Sequence, residues 1–195
     1  MRVIAGTARG RRLKAPRGRA TRPTSDRVRE AIFDVLAAEV ASSAVLDLFA
    51  GTGALGIEAL SRGASRAVFV ERDASALRAL EENLRALGFG SLAIILPRDV
   101  RAGARLFRGG TERFKLVFVD PPYRQDLIAP VLNELLRGDL LSPDAWVVAE
   151  HDRREAPPSR VDDSGASLVL IRRLTYGDTA LSFYRRGGPG APPDV

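Results

Sequence analysis

Two stretches of this 195-residue chain carry residue types and spacings that could do chemistry. The first is Asp120-Pro121-Pro122-Tyr123. Two prolines remove N–H donors and stiffen the backbone, so carbonyl oxygens are held outward beside the Asp120 carboxylate. Together they form a pair of acceptors suited to gripping an exocyclic –NH₂, and Tyr123 offers a flat face on which an extruded base can stack. An amine conjugated into a base is a poor nucleophile. Two acceptors can orient its nitrogen and relieve developing positive charge, which is positioning plus electrostatics without a covalent intermediate.

The second stretch is Gly51-Thr52-Gly53-Ala54-Leu55-Gly56, a G-x-G-x-x-G pattern. It follows an apolar run (Val45, Leu46, Leu48, Phe49) and precedes a segment with Ile57 and Leu60. A strand that breaks into glycines and opens a helix brings bare backbone N–H groups close to a nucleotide-type ligand. Which ligand is a separate question. Glu71, 20 positions after Gly51, suits a ribose in a dinucleotide site and equally in a site for S-adenosylmethionine. Asp47 is neutral to the dinucleotide reading but useful beside the ammonium of a methyl donor. Asp99 would share the same strand edge, able to accept from an adenine amino group, with Val100 as an apolar wall. Asp120–Tyr123 tips the balance toward methyl transfer, because it offers nothing to a hydride.

The elements that must position these groups follow from hydrophobic periodicity. Arg2–Ala5 and Arg11–Ala15 read as a hairpin with an arginine-bearing tip around Gly6–Gly10. A helix starts at Thr24 or Ser25, with Val28, Ala31, Ile32, Val35 and Leu36 as its apolar face. Arg27 and Arg29 fall off that stripe and are expected to face solvent or a partner. From Val45 on, strands alternate with helices, the pattern of a doubly wound parallel sheet. Strands are expected near Val45–Leu48, Ala67–Glu71, Leu92–Leu96, Lys115–Val119 and Ala145–Glu150, with helices at Ala74–Leu87 and Leu127–Arg137. Ser159–Gly165 reads as polar and turn-rich. Leu168–Leu174 and Thr179–Arg185 are two further strands, and their short connection makes them antiparallel. His151, the only histidine, reads as a surface residue; Trp146 and Phe49 read as core.

The composition is that of a globular protein, 45% hydrophobic and 28% charged, with no cysteine for disulfide, thiol or thiolate-metal chemistry. No apolar run reaches membrane-spanning length and no signal peptide is evident, so the cytoplasm is the expected location. The net charge of +6 is unevenly spread: residues 1–30 hold ten basic residues against two acids, leaving a slight negative excess elsewhere. A basic arm on a near-neutral body is expected of a protein that binds a phosphate backbone.

Asp47-Leu-Phe-Ala-Gly-Thr-Gly-Ala-Leu-Gly-Ile-Glu-Ala-Leu-Ser-Arg-Gly63 together with Asp120-Pro-Pro-Tyr123 resembles the RsmD-type methyltransferases. The likeness extends to Arg2-Val-Ile-Ala-Gly6, Arg9-Gly-Arg-Arg-Leu13, Arg22-Pro-Thr-Ser-Asp-Arg-Val-Arg-Glu30 and Tyr176-Gly-Asp-Thr179, spanning about residues 1–185. It implies an α/β fold of the Rossmann-like class I methyltransferase type: a seven-stranded, mostly parallel sheet closed by an antiparallel hairpin. The expected organisation is a basic hairpin arm (1–23), a methyltransferase domain (24–186) and a disordered tail (187–195). The implied activity is S-adenosylmethionine-dependent methylation of the exocyclic N2 of a guanine in 16S ribosomal RNA. The implied partner is that RNA or a small-subunit assembly intermediate, and nothing demands more than a monomer.

Carried over position by position, the resemblance makes Asp120, Pro121, Pro122 and Tyr123 the target-base grip. It makes Asp47, Gly51 and Gly53 the methionine-end loop, Glu71 the ribose acid and Asp99 the adenine-side acid. Phe49, Ala50, Arg72, Val100 and Asp120 complete the expected cofactor contacts. Arg9, Arg11, Arg12, Arg22, Thr24, Arg27 and Arg29 are the expected RNA contacts. Two other readings remain: an N6-adenine methyltransferase, which would use the same grip, and a non-catalytic RNA-binding assembly factor.

Overall fold

Parallel strands covered on both faces should be continuous apolar runs, and helices between them should be amphipathic. The structure, a computed structural model, describes residues 1–15, 25–107, 113–163 and 165–187. Arg22, Thr24, the expected boundary at 23/24 and residues 188–195 of the expected tail lie outside them. The chain divides into two units, Met1–Asp99 and Val100–Val195.

In the first unit, α1 (Asp26–Val35) is capped by Ser25, whose hydroxyl accepts from the Val28 N–H at 3.2 Å. The short α2 (Ala37–Val40) leads to β1 (Ala44–Leu48), α3 (Ala54–Ser61), β2 (Arg66–Glu71), α4 (Ala74–Leu87) and β3 (Ala93–Pro97). α4 starts where Asp73 accepts from the amides of Ser75 and Ala76, and it ends at Gly88 in the left-handed conformation. β2 pairs in parallel with both β1 and β3. Val45, Leu46, Val68, Phe69 and Val70 are buried between the flanking layers. Each such side chain contributes about 2 kcal/mol of burial free energy.

The expected N-terminal hairpin is reduced to one bridge, Arg2 with Arg12, and it is not a free arm. Val3, Ala8 and Leu13 are buried. Amides of Ile4 and Ala5 donate to the Glu58 carboxylate, and those of Thr7 and Ala8 donate to Ser61 on α3. Gly6 packs so tightly that a Cβ there would lie 1.8 Å from the Ser61 carbonyl oxygen.

In the second unit, a 3₁₀ run (Val100–Phe107) precedes β4 (Phe114–Val119), α5 (Ile128–Arg137) and β5 (Leu141–Asp152). β6 (Arg160–Asp163), β7 (Ala166–Tyr176) and β8 (Thr179–Gly187) follow. β4 and β5 are parallel, whereas β5/β8, β8/β7 and β7/β6 are antiparallel. The seven expected strands are all present, and β6 is an eighth among the described residues. It occupies a stretch expected to be turn because Arg-Val-Asp-Asp shows only one apolar residue, Val161, which alone turns inward. Gly187, expected to begin the tail, still pairs with Ser167 in the β7/β8 ladder. No helix among the described residues is long and apolar enough to cross a membrane.

Candidate active site

The register of β1 and β2 sets Asp47 beside Phe69, and that of β2 and β3 ends with Glu71 opposite Pro97, so both acids lie toward the carboxyl ends of these parallel strands. Between them the glycine loop turns back on itself. Gly53 adopts a positive φ as the N-cap of α3, and a Cβ there would lie 2.3 Å from Leu80. At Gly56 a Cβ would lie 2.3 Å from the Phe69 ring, so α3 can close on β2 only at a glycine. Gly51 differs: its Cβ would meet nothing nearer than 4.0 Å, which leaves room above the loop.

The glycine N–H groups are not bare, contrary to the expectation from the motif alone. Gly51 donates to Glu71 Oε2 at 2.8 Å, Gly56 donates to Asp47 Oδ2 at 2.8 Å, and Gly53 donates to the Ala50 carbonyl at 2.7 Å. Side-chain oxygens of Asp47 and Glu71 thus already occupy two of the amides that a pyrophosphate would need. The Glu71 charge disfavours an anion there and favours a cationic group. Glu71 Oε1 also accepts from the amides of Arg72 and Asp73. A carboxylate has about four acceptor sites, so Oε2 retains one for a ligand hydroxyl.

Asp47 is buried, and that burial pushes its carboxyl up to about 8, with the Gly56 N–H opposing the shift and the nearby Glu71 charge adding to it. A cationic ligand group nearby would return it to the charged form. Phe49, half-buried rather than the core side chain expected, has φ +60, a strained conformation for a bulky residue. Ala50 donates its amide to Val70 O, closing the loop on β2. Arg72 and Asp99 pair with each other at 2.8 Å. The structure thus gathers Asp47, Phe49, Ala50, Gly51, Gly53, Glu71, Arg72 and Asp99 at one sheet edge of the first unit.

In the second unit, Asp120 follows β4 directly and is half-buried, Pro121 is buried and Pro122 exposed. Val100, expected against the cofactor, is buried at the start of this unit. Tyr123 is half-buried with its hydroxyl 2.9 Å from both Glu150 Oε1 on β5 and Thr179 Oγ1 at the start of β8. Desolvation raises its pKa, the Glu150 and Asp120 charges add to the rise and the Thr179 hydrogen bond opposes it, so the phenol stays protonated and donates. The chain then passes through Arg124 (φ +60) and Asp126 (φ +51). Arg124 is held by its amide to Glu155 and by its guanidinium to Asp152. Of the five non-glycine residues with positive φ among those described, Phe49, Arg124 and Asp126 lie at the two motifs. Strain of this kind, worth about 1–3 kcal/mol per residue, concentrates at functional sites.

A family model described as "Conserved hypothetical protein 95" matches residues 1–185. The putative rRNA methyltransferase YlbH of Bacillus subtilis is 39% identical over 188 residues, 96% of this chain and 100% of that protein. Ribosomal RNA small subunit methyltransferase D of Escherichia coli is 36% identical over 190 residues, 97% and 92% of the two chains. The chain belongs to the RsmD family. Among solved structures, a putative methyltransferase, yhhF, from Escherichia coli superposes with a TM-score of 0.82 at 34% identity, covering 96% of this chain and 98% of that one. The mixed α/β fold with its closing antiparallel hairpin is that of the methyltransferases.

Within this RsmD-family fold, the basic residues sort into two groups. Arg9, Arg11, Arg12 and Arg27 are exposed, with Arg11 also donating to the Ala86 carbonyl at the end of α4. Arg29 is not available to a partner, and its expected RNA contact is withdrawn: it is fully buried. Its guanidinium donates to the Arg2 carbonyl and to Asp26, both at 2.7 Å, and lies 3.8 Å from Glu58. α1 turns this face inward because the N-terminal segment covers it, so a position off the apolar stripe is enclosed all the same.

His151 is likewise buried, not a surface residue. Its ring nitrogens meet the Asp152 carbonyl and the Ser182 hydroxyl at 2.8 and 2.9 Å, and burial lowers its pKa. Trp146 is half-buried under the Arg185 guanidinium, 5.2 Å from the ring centroid. Sequence reasoning missed Asn83, Glu150 and Thr179. Asn83 sits on the inward face of α4, its amide donating to the Thr52 carbonyl of the glycine loop and to the Lys14 carbonyl, while its oxygen accepts from the Lys14 amide. A polar residue on an apolar helical stripe was the available signal.

Proposed function

We propose that this RsmD-family enzyme transfers a methyl group from S-adenosylmethionine to the exocyclic N2 of a guanine in 16S ribosomal RNA. The observation that carries the reading is Asp120-Pro-Pro-Tyr123, placed at the carboxyl end of β4 with the Tyr123 hydroxyl tethered at 2.9 Å on two sides. The relatives named for rRNA methylation support the substrate class.

The donor half fits a sulfonium amino acid better than a dinucleotide. Its loop amides are occupied by carboxylates, Gly51 leaves space, and Glu71 keeps an acceptor for a ribose hydroxyl. The buried Asp47 carboxyl gains a reason to ionise only when a cation arrives. When bound, S-adenosylmethionine supplies a methyl group on positively charged sulfur, and the S–C bonding pair stays with sulfur as the new N–C bond forms.

The chain's own residues prepare the acceptor. Asp120 accepts an N–H of the guanine N2, which draws the nitrogen lone pair out of conjugation and aims it. Tyr123 stacks on the base. As the N–C bond forms, the nitrogen becomes cationic, and the Asp120 carboxylate stabilises it before one N–H proton departs to solvent. The exposed Arg9, Arg11, Arg12 and Arg27 contact phosphates, with Arg22 and Thr24 assigned alongside them from the family resemblance. The enzyme works as a cytoplasmic monomer on 16S RNA or a partly assembled small subunit.

Incubation with methyl-labelled S-adenosylmethionine and small-subunit RNA or assembly intermediates, followed by nuclease digestion and mass analysis, should place the label on N2-methylguanosine. Label on N6-methyladenosine would replace the guanine assignment. Asp120→Ala should lower kcat by about 10³-fold, on the order expected for loss of a charge-stabilising group, while cofactor affinity measured by calorimetry changes little. A fully active Asp120→Ala enzyme would sink the grip.

A further inference from the structure

The Tyr123 side chain is tied down at its far end, on two sides at once. A stacking platform needs a defined ring plane, and an aromatic side chain on a strained loop lacks one unless its tip is held. Here the tip meets Glu150 Oε1 and Thr179 Oγ1, each at 2.9 Å. Both partners are buried residues on regular strands: Glu150 pairs with Leu181, and Thr179 with Asp152, in the β5/β8 ladder. The phenol O–H donates to the carboxylate, and the phenol oxygen is left to accept from the threonine hydroxyl.

The geometry points to Glu150 and Thr179 as positioning residues of the methyl-transfer reaction, holding the Tyr123 ring in the plane on which the target base stacks. This rests on the reading of Tyr123 as a base platform. It assigns a task to Thr179, which closes the Tyr176-Gly-Asp-Thr179 turn, and to a buried carboxylate that the chemistry does not otherwise use. Neither residue touches the reacting atoms; both act through the tyrosine. Burial of Glu150 makes its hydrogen bond to a neutral donor stronger than one in water and makes the tether stiff. The adjoining loop is secured from the same region, since Arg124 is bound to Asp152 and Glu155 just beyond Glu150. The end of β5 and the start of β8 thus form a bracket under the acceptor loop.

The test compares Tyr123→Ala, Tyr123→Phe, Thr179→Val and Thr179→Ser in steady-state methylation, with thermal melting and S-adenosylmethionine calorimetry as controls on folding. Tyr123→Phe keeps the ring and loses the tether. It should lower kcat or kcat/KM for RNA about tenfold, the loss expected of one or two hydrogen bonds expressed in the bound state. Cofactor affinity should be unmoved. Thr179→Val should lower activity several-fold in the native background and cause no further loss on top of Tyr123→Phe, because the tether is already gone. Thr179→Ser, which keeps a hydroxyl, should lose less than Thr179→Val. Additive losses in the double variant, or a Tyr123→Phe enzyme as active as the native one while Tyr123→Ala is inactive, would overturn the positioning role and leave the platform standing. A fully active Tyr123→Ala would overturn the platform itself.

Discussion

In the donor loop, side-chain carboxylates accept from backbone amides: Asp47 from Gly56, and Glu71 from Gly51, Arg72 and Asp73. In the acceptor loop one amide, that of Arg124, donates to Glu155, but most ties run from side chain to side chain and come from distant strands, with Glu150 and Thr179 on Tyr123 and Asp152 on Arg124. The first arrangement shapes a backbone; the second aims a ring. The difference follows from what each half must hold. A flexible donor with an amino-acid end and a sugar needs a contoured cradle, whereas a base needs one plane and two acceptors. The two acids that shape the donor loop, Asp47 and Glu71, lie within about 25 residues of each other, while Tyr123 draws on partners 27 and 56 positions away.

Glu71→Ala should break the comparison most severely, because one residue shapes the donor loop and, in the proposed site, also offers an acceptor to the ribose. Its three amide donors would lose a charged partner, at about 1.5–3 kcal/mol for a hydrogen bond of this kind. Calorimetry should show S-adenosylmethionine affinity reduced by about 10²-fold or more, with the melting temperature also lowered. Affinity within threefold of the native protein would remove Glu71 from the cradle.

That same contrast explains what the sequence made legible. The three glycines, Asp47 and Glu71 lie along one strand–loop–helix–strand passage, so their spacing and the register of neighbouring parallel strands already imply a shared edge. Most element positions follow from apolar runs, as with α4 at Ala74–Leu87. Long-range burial of polar groups does not. Arg29 falls off the α1 stripe by helical periodicity, yet the N-terminal segment covers it. His151 follows a glutamate on a strand and reads as solvated, yet it hydrogen-bonds Ser182 across the β5/β8 ladder. Glu150 is an ordinary acid until Tyr123 is brought to it. β6 escaped because an edge strand needs only one inward residue to be worth forming.

The two units should also part company in their pH response. Asp47 has its pKa raised to about 8 by burial, against 3.8 when unfolded. Between those values the folded state holds a proton that the unfolded state has lost, so stability falls as pH rises from about 4 to 8. His151 is shifted the other way by burial. Below about 6.5 the unfolded chain takes up a proton that the buried ring resists, so this contribution falls as pH drops. Melting curves of the ligand-free protein should therefore show Asp47→Asn gaining on the native protein as pH rises toward 8, by on the order of a few kcal/mol. His151→Gln should flatten the acid side instead. An Asp47→Asn difference that is constant with pH would mean the carboxyl titrates normally and is already charged for a cationic ligand.

The smallest effect expected is also the cleanest separation of RNA binding from both loops. Removing the first 19 residues would not isolate it, because Val3, Ala8 and Leu13 are buried and the segment's amides bind Glu58 and Ser61. Arg9 and Arg12 are exposed, and substituting both by alanine leaves that packing in place. Each arginine–phosphate interaction removed should make the slope of log affinity against log salt shallower by about 0.7 for single-stranded RNA, so the double variant should be shallower by about 1.4 if both arginines touch phosphate. Cofactor affinity and kcat at saturating RNA should stay near native values, because neither arginine belongs to the donor loop or to the bracket that holds Tyr123. An unchanged slope would take the phosphate interaction away from Arg9 and Arg12 and leave Arg11, Arg27 and basic residues elsewhere in the chain to carry it.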